Sequence, residues 1–532
     1  MAESKIVSAD VAVSFIKDGG TVAFGGFVGS GFAEEVADKI EESFLQSGKP
    51  RDLTLVYTAG QGDGKTKGLN HLGHEGLVRR LIGAHIGPAP KLQKLVRENK
   101  CLAYSFPLGV VAQLYRDIAA KKPGTITHVG IGTFIDPREE GGKLNERTRR
   151  DGDDLIELIT IAGKEYMFYK TLPIDVAIIR GTTSDTDGNI SIEKEALTLE
   201  ILNIAMAARN SCGIVIAQVE RITRKGTLSP RQIRVPGILV DYVVQARPEN
   251  HWQTFAEPYS PAFSGEIKVP MQSIPPLELS DRKIIARRAA FELGLNTVVN
   301  LGIGMPESVA RVANEEGLID ALTLTTEPGA IGGIPAGGLN FGASTNVDVL
   351  ISLPEQFDFY DGGGLDIAFL GAAEIDAEGN VNVSKYGARF VGPGGFINIS
   401  QNAKKVIFLS TFTAGGLKIS VQHGKLNIVQ EGREKKLVSM VQQKTYSGKY
   451  GILKKQPVLY VTERCVFELT EKGVELTEVA PGIDVDREIL ARMDFRPIVN
   501  KPRLMDPRIF QTGPMGIKSE AAARPACHSE MN

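Results

Sequence analysis

Short β-rich runs such as Thr21–Phe24, Leu53–Tyr57 and residues 176–179 alternate along the chain with helical patterns such as residues 32–44. That order gives a parallel sheet with helices packed on it, so the pattern predicts the α/β class. Between residues 246 and 279 the periodicity dissolves into a stretch holding Pro248, Pro258, Pro261, Pro270, Pro275 and Pro276, the composition of a linker or extended crossing segment. Ser280 then stands where it can cap a helix running through ARRAAFELG, with Gly294 placed to stop it. The expected organisation is an N-terminal domain over 1–245, the crossing segment, a C-terminal domain over 280–516, and a polar, patternless and disordered tail over 517–532.

The two halves repeat one another. IDVAIIRGTTSDTDGNISI (174–192) matches LDIAFLGAAEIDAEGNVNV (365–383) at a constant offset that pairs Asp175 with Asp366, Asp185 with Asp376, Gly188 with Gly379 and Asn189 with Asn380. TVAFGGFVGSGFAEEVA and TVVNLGIGMPESVARVA each read as strand, glycine-rich turn and helix. The chain therefore reads as two related open α/β domains born of an internal duplication, with the cleft between them as the natural ligand site.

Composition narrows the function. A chain of 532 residues exceeds one ordinary core, and 42% hydrophobic with 23% charged residues describes a globular protein. The 61 basic residues nearly cancel the 63 acidic ones, for a formal charge of -2, and no basic run could track nucleic acid. Cys101, Cys212, Cys465 and Cys527 lie far apart without a CxxC pair, as reduced thiols in a cytoplasmic setting would. The opening residues fit neither a secretory nor a transit peptide, and no apolar run is long enough to cross a membrane. The unusual feature is glycine, 58 residues gathered in a few loops where backbone amides can approach a ligand.

The densest such loop follows a candidate nucleophile. In ALTLTTEPGAIGGIPAGGLNFGA, residues 322–326 alternate as a strand, Glu327 falls at its end, and six glycines follow within fifteen residues. An isolated Glu in a turn is ordinarily solvated; a carboxylate on a strand end beside a loop stripped of side chains is also what a bulky acyl donor needs. Asn300 with the turn amides of Gly302 and Gly304, before a helix opened by Pro306, could hold an oxyanion or substrate, as could Gly394 and Gly395. A glycine turn of this kind also serves simply to pack a helix on its sheet.

GGFVGSG, YTAGQGDGKTKGLNHLGHEGL, VNLGIGMP, TTEPGAIGGIPAGG, QFDFYDGGGLDIAFLG, GPGGFINIS and EVAPGIDVDREIL together resemble the family I coenzyme A transferases, of the single-chain propionate or acetate type in which two subunits are fused. The resemblance runs from about Val7 to Gly516. It implies a ping-pong transfer of CoA between short-chain acyl-CoA and a free carboxylate, with the family glutamate falling on Glu327. It further implies that Asn300, Gly394 and Gly395 polarise carbonyls or hold CoA, and that the loop with Gly26 and Gly29 lines the cleft. CoA would be a substrate, with no cofactor and no metal; acyl-CoA and short acids would be the partners, and the chain would form a homo-oligomer. Where the resemblance leads one to expect Gln, between Pro107 and Gly109, this chain has Leu108.

Competing readings remain at this point. AGQGDGKT (59–66) satisfies a relaxed phosphate-loop pattern, but Gly68, Gly73 and Gly76 break the helix it requires. His71, His74 and His85 carry no Cys beside them and read as ordinary loop or core histidines rather than a zinc site. Hydrolysis of acyl-CoA through the same glutamate, or CoA binding without catalysis, are the functional alternatives.

Overall fold

The computed structural model of the chain describes residues 4–270 and 276–524. They divide into two units that are discontinuous in sequence. The first comprises the described residues up to Val269 together with 326–358 and 386–398; the second comprises Pro270, the residues from 276 to Thr325, Phe359–Lys385 and the described residues from Ile399 onwards. Residues 246–269 of the proline-rich stretch thus stand in the first unit, and 271–275 lie outside the described residues.

In the first unit the strand Thr21–Phe24 is central. It pairs in parallel with Leu53–Tyr57 on one side and Val176–Asp185 on the other. Val78–Gly83 and Leu102–Ser105 extend the sheet beyond the former, and Ile214–Thr223 and Tyr242–Gln245 beyond the latter, all parallel. Every residue of Thr21–Phe24 and Leu53–Tyr57 is buried, as strands covered on both faces must be. A separate antiparallel sheet joins Gly124–Thr127, Lys164–Lys170 and Ile156–Ile161.

The second unit repeats that order. Thr297–Leu301 lies between Leu322–Thr325 and Ile367–Gly371, followed by Lys405–Leu409 and Val458–Val461, again all parallel. Cys465–Thr470 and Gly473–Val479 then continue antiparallel.

The duplication extends to single hydrogen bonds. Asp175 accepts the Thr21 N–H at 2.7 Å and Asp366 accepts the Val298 N–H at 2.9 Å. Asp185 accepts the amides of Asp187 and Asn189 and the Asn189 side chain; Asp376 does the same for Glu378 and Asn380. Asn189 in turn accepts the Gly237 N–H and Asn380 the Gly448 N–H. An Asp whose short carboxylate bonds the backbone two and four residues on closes a tight turn, and Gly188 and Gly379 follow it at φ +86° and +77°. These bonds set the register: Thr21 corresponds to Val298, Ala23 to Asn300 and Gly25 to Gly302, one residue out of step with the alignment of the two threonines.

Two local expectations need correction. Ser280 does cap its helix, accepting from Lys283 N, but the helix is Asp281–Ala290 and ends before Gly294. Glu292 and Leu293 bond back to the carbonyls of Ala289 and Ala290, tightening the last turn early. The tail expected to be disordered from 517 instead forms a helix, Lys518–Ala522, with Ala521 buried and Glu520 paired to Arg508 at 2.6 Å. Residues 525–532, with Cys527, lie outside the described residues. Among the described residues no helix is long and apolar enough to cross a membrane.

Candidate active site

The strand Leu322–Thr325 ends in a tight turn: the Gly329 N–H returns to the Thr326 carbonyl and the Thr326 N–H to the Ala330 carbonyl. Gly329 stands at φ +109°, where a Cβ would meet the Ile351 carbonyl oxygen at 2.2 Å, so no other residue fits there. This turn presents Glu327. Its Oε2 accepts the Gly395 N–H at 3.2 Å. Among the described residues no cation contributes to its electrostatics; burial of the carboxyl group raises its pKa to about 7, partly offset by the Gly395 bond. The residue nonetheless keeps partial solvent exposure. The outcome is a buried carboxyl group of raised pKa on a residue that keeps partial exposure, with one backbone donor fixed upon it.

Three loops of the first unit support this carboxyl. Gly395 has no room for a side chain: a Cβ would stand 2.6 Å from Glu327 Oε2 and 2.9 Å from Phe357 Cζ. Its neighbour Gly394 donates to the Ala84 carbonyl and accepts the Leu108 N–H at 3.0 Å. Leu108 opens the helix Leu108–Ala119 and is 1% exposed. Gly109 N–H donates to Asn398 Oδ1, and its missing Cβ admits the Phe357 ring. On the other flank a Cβ on Gly342 would lie 2.6 Å from Phe27 and 3.1 Å from Pro328, so the Gly25–Gly31 loop reaches the Glu327 turn across a glycine.

Gly26 and Gly29, expected to line a cleft, are both buried. The Gly26 carbonyl accepts from the Gln61 amide, and the space of a Gly29 Cβ is taken by Phe255 at 2.4 Å. They serve close packing. In the second unit Asn300 donates to the Thr325 carbonyl and the Tyr360 hydroxyl, both at 3.3 Å, while its buried Oδ1 has no partner. The Gly302 N–H is committed to the Phe369 carbonyl and the Gly304 N–H to Glu307 Oε1.

Sequence reasoning missed Phe357, which backs Gly395, and Val28, a β-branched residue held at φ +53° in the glycine loop. Such strain persists only where the surroundings enforce it; Val28 is fixed by its N–H on the Gly60 carbonyl and its carbonyl on the Gly62 N–H. Neither residue type carries a signal in the sequence.

The phosphate-loop resemblance fails for a visible reason. Asp63 Oδ1 accepts the amides of Lys65, Thr66 and Lys67 at 2.8, 2.8 and 3.0 Å, occupying the donors a phosphate would need. Asp38, Glu41 and His71 do gather within 4.8 Å. Their atoms are already paired: His71 bridges Glu34 and Glu41, Lys91 and His74 also reach Glu41, and Arg247 reaches Asp38. Burial works against a charge on His71, but its two carboxylate partners outweigh it and raise its pKa.

Residues 6–246 match the coenzyme A transferase family. The chain is 48% identical to the caffeate CoA-transferase of Acetobacterium woodii over 95% of its length and 97% of the relative's. It is 42% identical to the acetate CoA-transferase YdiF of Escherichia coli K12 over 97% of each. Its structure matches the acyl-CoA transferase YdiF of Escherichia coli O157:H7, solved as a thioester complex with CoA, with a TM-score of 0.90 at 41% identity, covering 96% of this chain and 97% of that one. The chain belongs to the coenzyme A transferase family, as an enzyme of the single-chain type.

Proposed function

We propose that the protein moves CoA between short-chain acyl-CoA and free carboxylic acids through a covalent intermediate on Glu327. The observation that carries this reading is the Glu327 carboxyl itself: on a partly exposed residue, with no cation beside it among the described residues, and held by one backbone donor. Its carboxylate attacks the thioester carbonyl carbon and expels CoA thiolate, leaving an acyl-glutamyl anhydride. The thiolate then attacks the glutamyl carbonyl, releasing the first acid and forming a glutamyl-CoA thioester. An incoming carboxylate attacks that thioester, and the thiolate returns to the new acyl group, restoring Glu327. A carboxylate nucleophile suits reversible exchange because both anhydrides have similar reactivity.

The Gly395 N–H is aimed at a glutamyl oxygen and would stabilise the oxyanion formed when thiolate adds there. Asn300, its amide nitrogen committed to Thr325 and Tyr360, leaves Oδ1 free and would accept a hydrogen bond from a substrate donor. Gly302 and Gly304, their amides committed, would shape the turn. Leu108, in place of the expected Gln, would supply apolar surface behind Gly394. The thioester complex of YdiF with CoA supports a thioester route, and the caffeate enzyme supports a site wide enough for a larger acid. Initial-rate kinetics over a matrix of acyl-CoA donors and acids, caffeate among them, tests this: parallel double-reciprocal lines are expected, and intersecting lines would overturn the reading.

A further inference from the structure

Glu200 is a second carboxyl without a counter-cation in the first unit. The residue is completely buried. Its Oε1 accepts the Thr58 hydroxyl at 2.6 Å, and its Oε2 has no partner. The buried Tyr115 hydroxyl lies close enough to the carboxylate to feel its charge and interacts with the Thr58 hydroxyl. The other charges of the surrounding elements are engaged elsewhere. Glu195 pairs with Arg180, Arg209 with Asp241, Asp358 with Arg116 and Asp117 with Lys122, while Glu355 accepts the Ser352 N–H. An ionised carboxylate there would be desolvated with one neutral hydroxyl donating to it, a burial that favours the neutral acid. Burial accordingly pushes this group up to about 7.

The position connects to both supports of Gly395. Glu200 precedes the helix Ile201–Asn210, which packs against Leu108–Ala119, the helix whose first N–H holds Gly394. Leu199 is held at φ +56°, a strained conformation for leucine. Its carbonyl accepts the N–H of Leu353, which opens the helix carrying Phe357. We infer that Glu200, as a neutral carboxylic acid, is a positioning residue that keeps the Gly394–Gly395 loop set on Glu327, and that its ionisation releases this loop and slows transfer. The inference rests on Glu327 as the transfer site.

The experiment compares wild type, Glu200→Gln and Thr58→Val as full chains, measuring melting temperature and kcat/KM against pH. Gln keeps the shape and cannot ionise. Its melting temperature should match wild type near pH 5 and exceed it by about 3 °C at pH 8.5. In wild type kcat/KM should fall at least about tenfold above neutrality, and Glu200→Gln should abolish this alkaline fall while keeping the acid limb. Thr58→Val removes the donor that favours the charged form, so its alkaline limb should move to higher pH. An alkaline limb unchanged in both variants overturns the proposal, even if the melting difference appears. Adduct formation on Glu327, measured separately, decides the underlying reading.

Discussion

The two halves of the chain end equivalent strands in opposite ways. Ala23 pairs with Val56 and Asn300 with Thr325 in the parallel ladders, so the position of Glu327 in the second half is that of Thr58 in the first. Gly60 and Gly329 then fall at the same step. One strand end bears a glutamate that keeps partial solvent exposure; the other bears a hydroxyl tied to the sealed carboxyl of Glu200. Burial raises both acids to about 7. A raised pKa therefore does not by itself distinguish the glutamate proposed as nucleophile from a structural one in this fold; in the proposed reading, partial exposure and the Gly395 donor do.

The largest expected effect breaks that contrast at its reactive end. Glu327→Gln should lower transfer by about 10³-fold or more, since removing a covalent nucleophile leaves only binding and orientation. Circular dichroism and a melting curve should report an intact fold. Gly395→Ala comes next: the N–H is kept, but the added Cβ would stand 2.6 Å from Glu327 Oε2, and displacing that carboxyl is expected to cost about 10²-fold in kcat. Its backbone conformation tolerates alanine, so the loss is to be read against an unchanged secondary structure; near-normal activity would remove Gly395 from the site.

Stability against pH sharpens the comparison further. Both carboxyls have folded-state values raised from 4.5 to about 7. The unfolded chain therefore releases these protons first, so the stability each acid contributes is complete below about 4.5 and is lost as pH rises through about 7. For fully buried Glu200 the loss is on the order of 3 kcal/mol. Urea unfolding at pH 5 and pH 8.5 should show the wild type weakening with pH and the Glu200→Gln variant weakening less; equal losses would refute the assignment of a neutral buried acid.

The smallest effect concerns Leu108. Its side chain is buried, so Leu108→Gln buries an amide and should cost about 1–3 kcal/mol of stability if unpaired. If Leu108 sets acyl selectivity, the kcat/KM ratio of butyryl-CoA to acetyl-CoA should fall about fourfold per methylene no longer sheltered, on a scale of about 0.8 kcal/mol each. An unchanged ratio removes it from selectivity.

The repeated turns were legible because Asp185 and Asp376 make the same backbone bonds, and only Asp, Gly and Asn at fixed spacing make that ring. The turn that presents Glu327 was legible through the proline and glycines that follow it. The roles of Gly26 and Gly29 were not, since a glycine that admits Phe255 looks the same in sequence as one that admits a ligand. Glu200 left no trace because its burial is created by helices distant in the chain. The helix Lys518–Ala522 escaped for a similar reason: Glu316, far upstream, accepts the amides of Met515, Gly516 and Ile517 and so anchors its start.

The most direct measurement is the intact mass of the protein after incubation with acyl-CoA and no acceptor acid, taken for wild type, Glu327→Gln and Glu200→Gln. The account predicts a covalent CoA adduct that maps to Glu327 in wild type and Glu200→Gln, discharged by added acid, and no adduct in Glu327→Gln. A wild-type protein that turns over without any adduct, or an adduct that persists in Glu327→Gln, would contradict it.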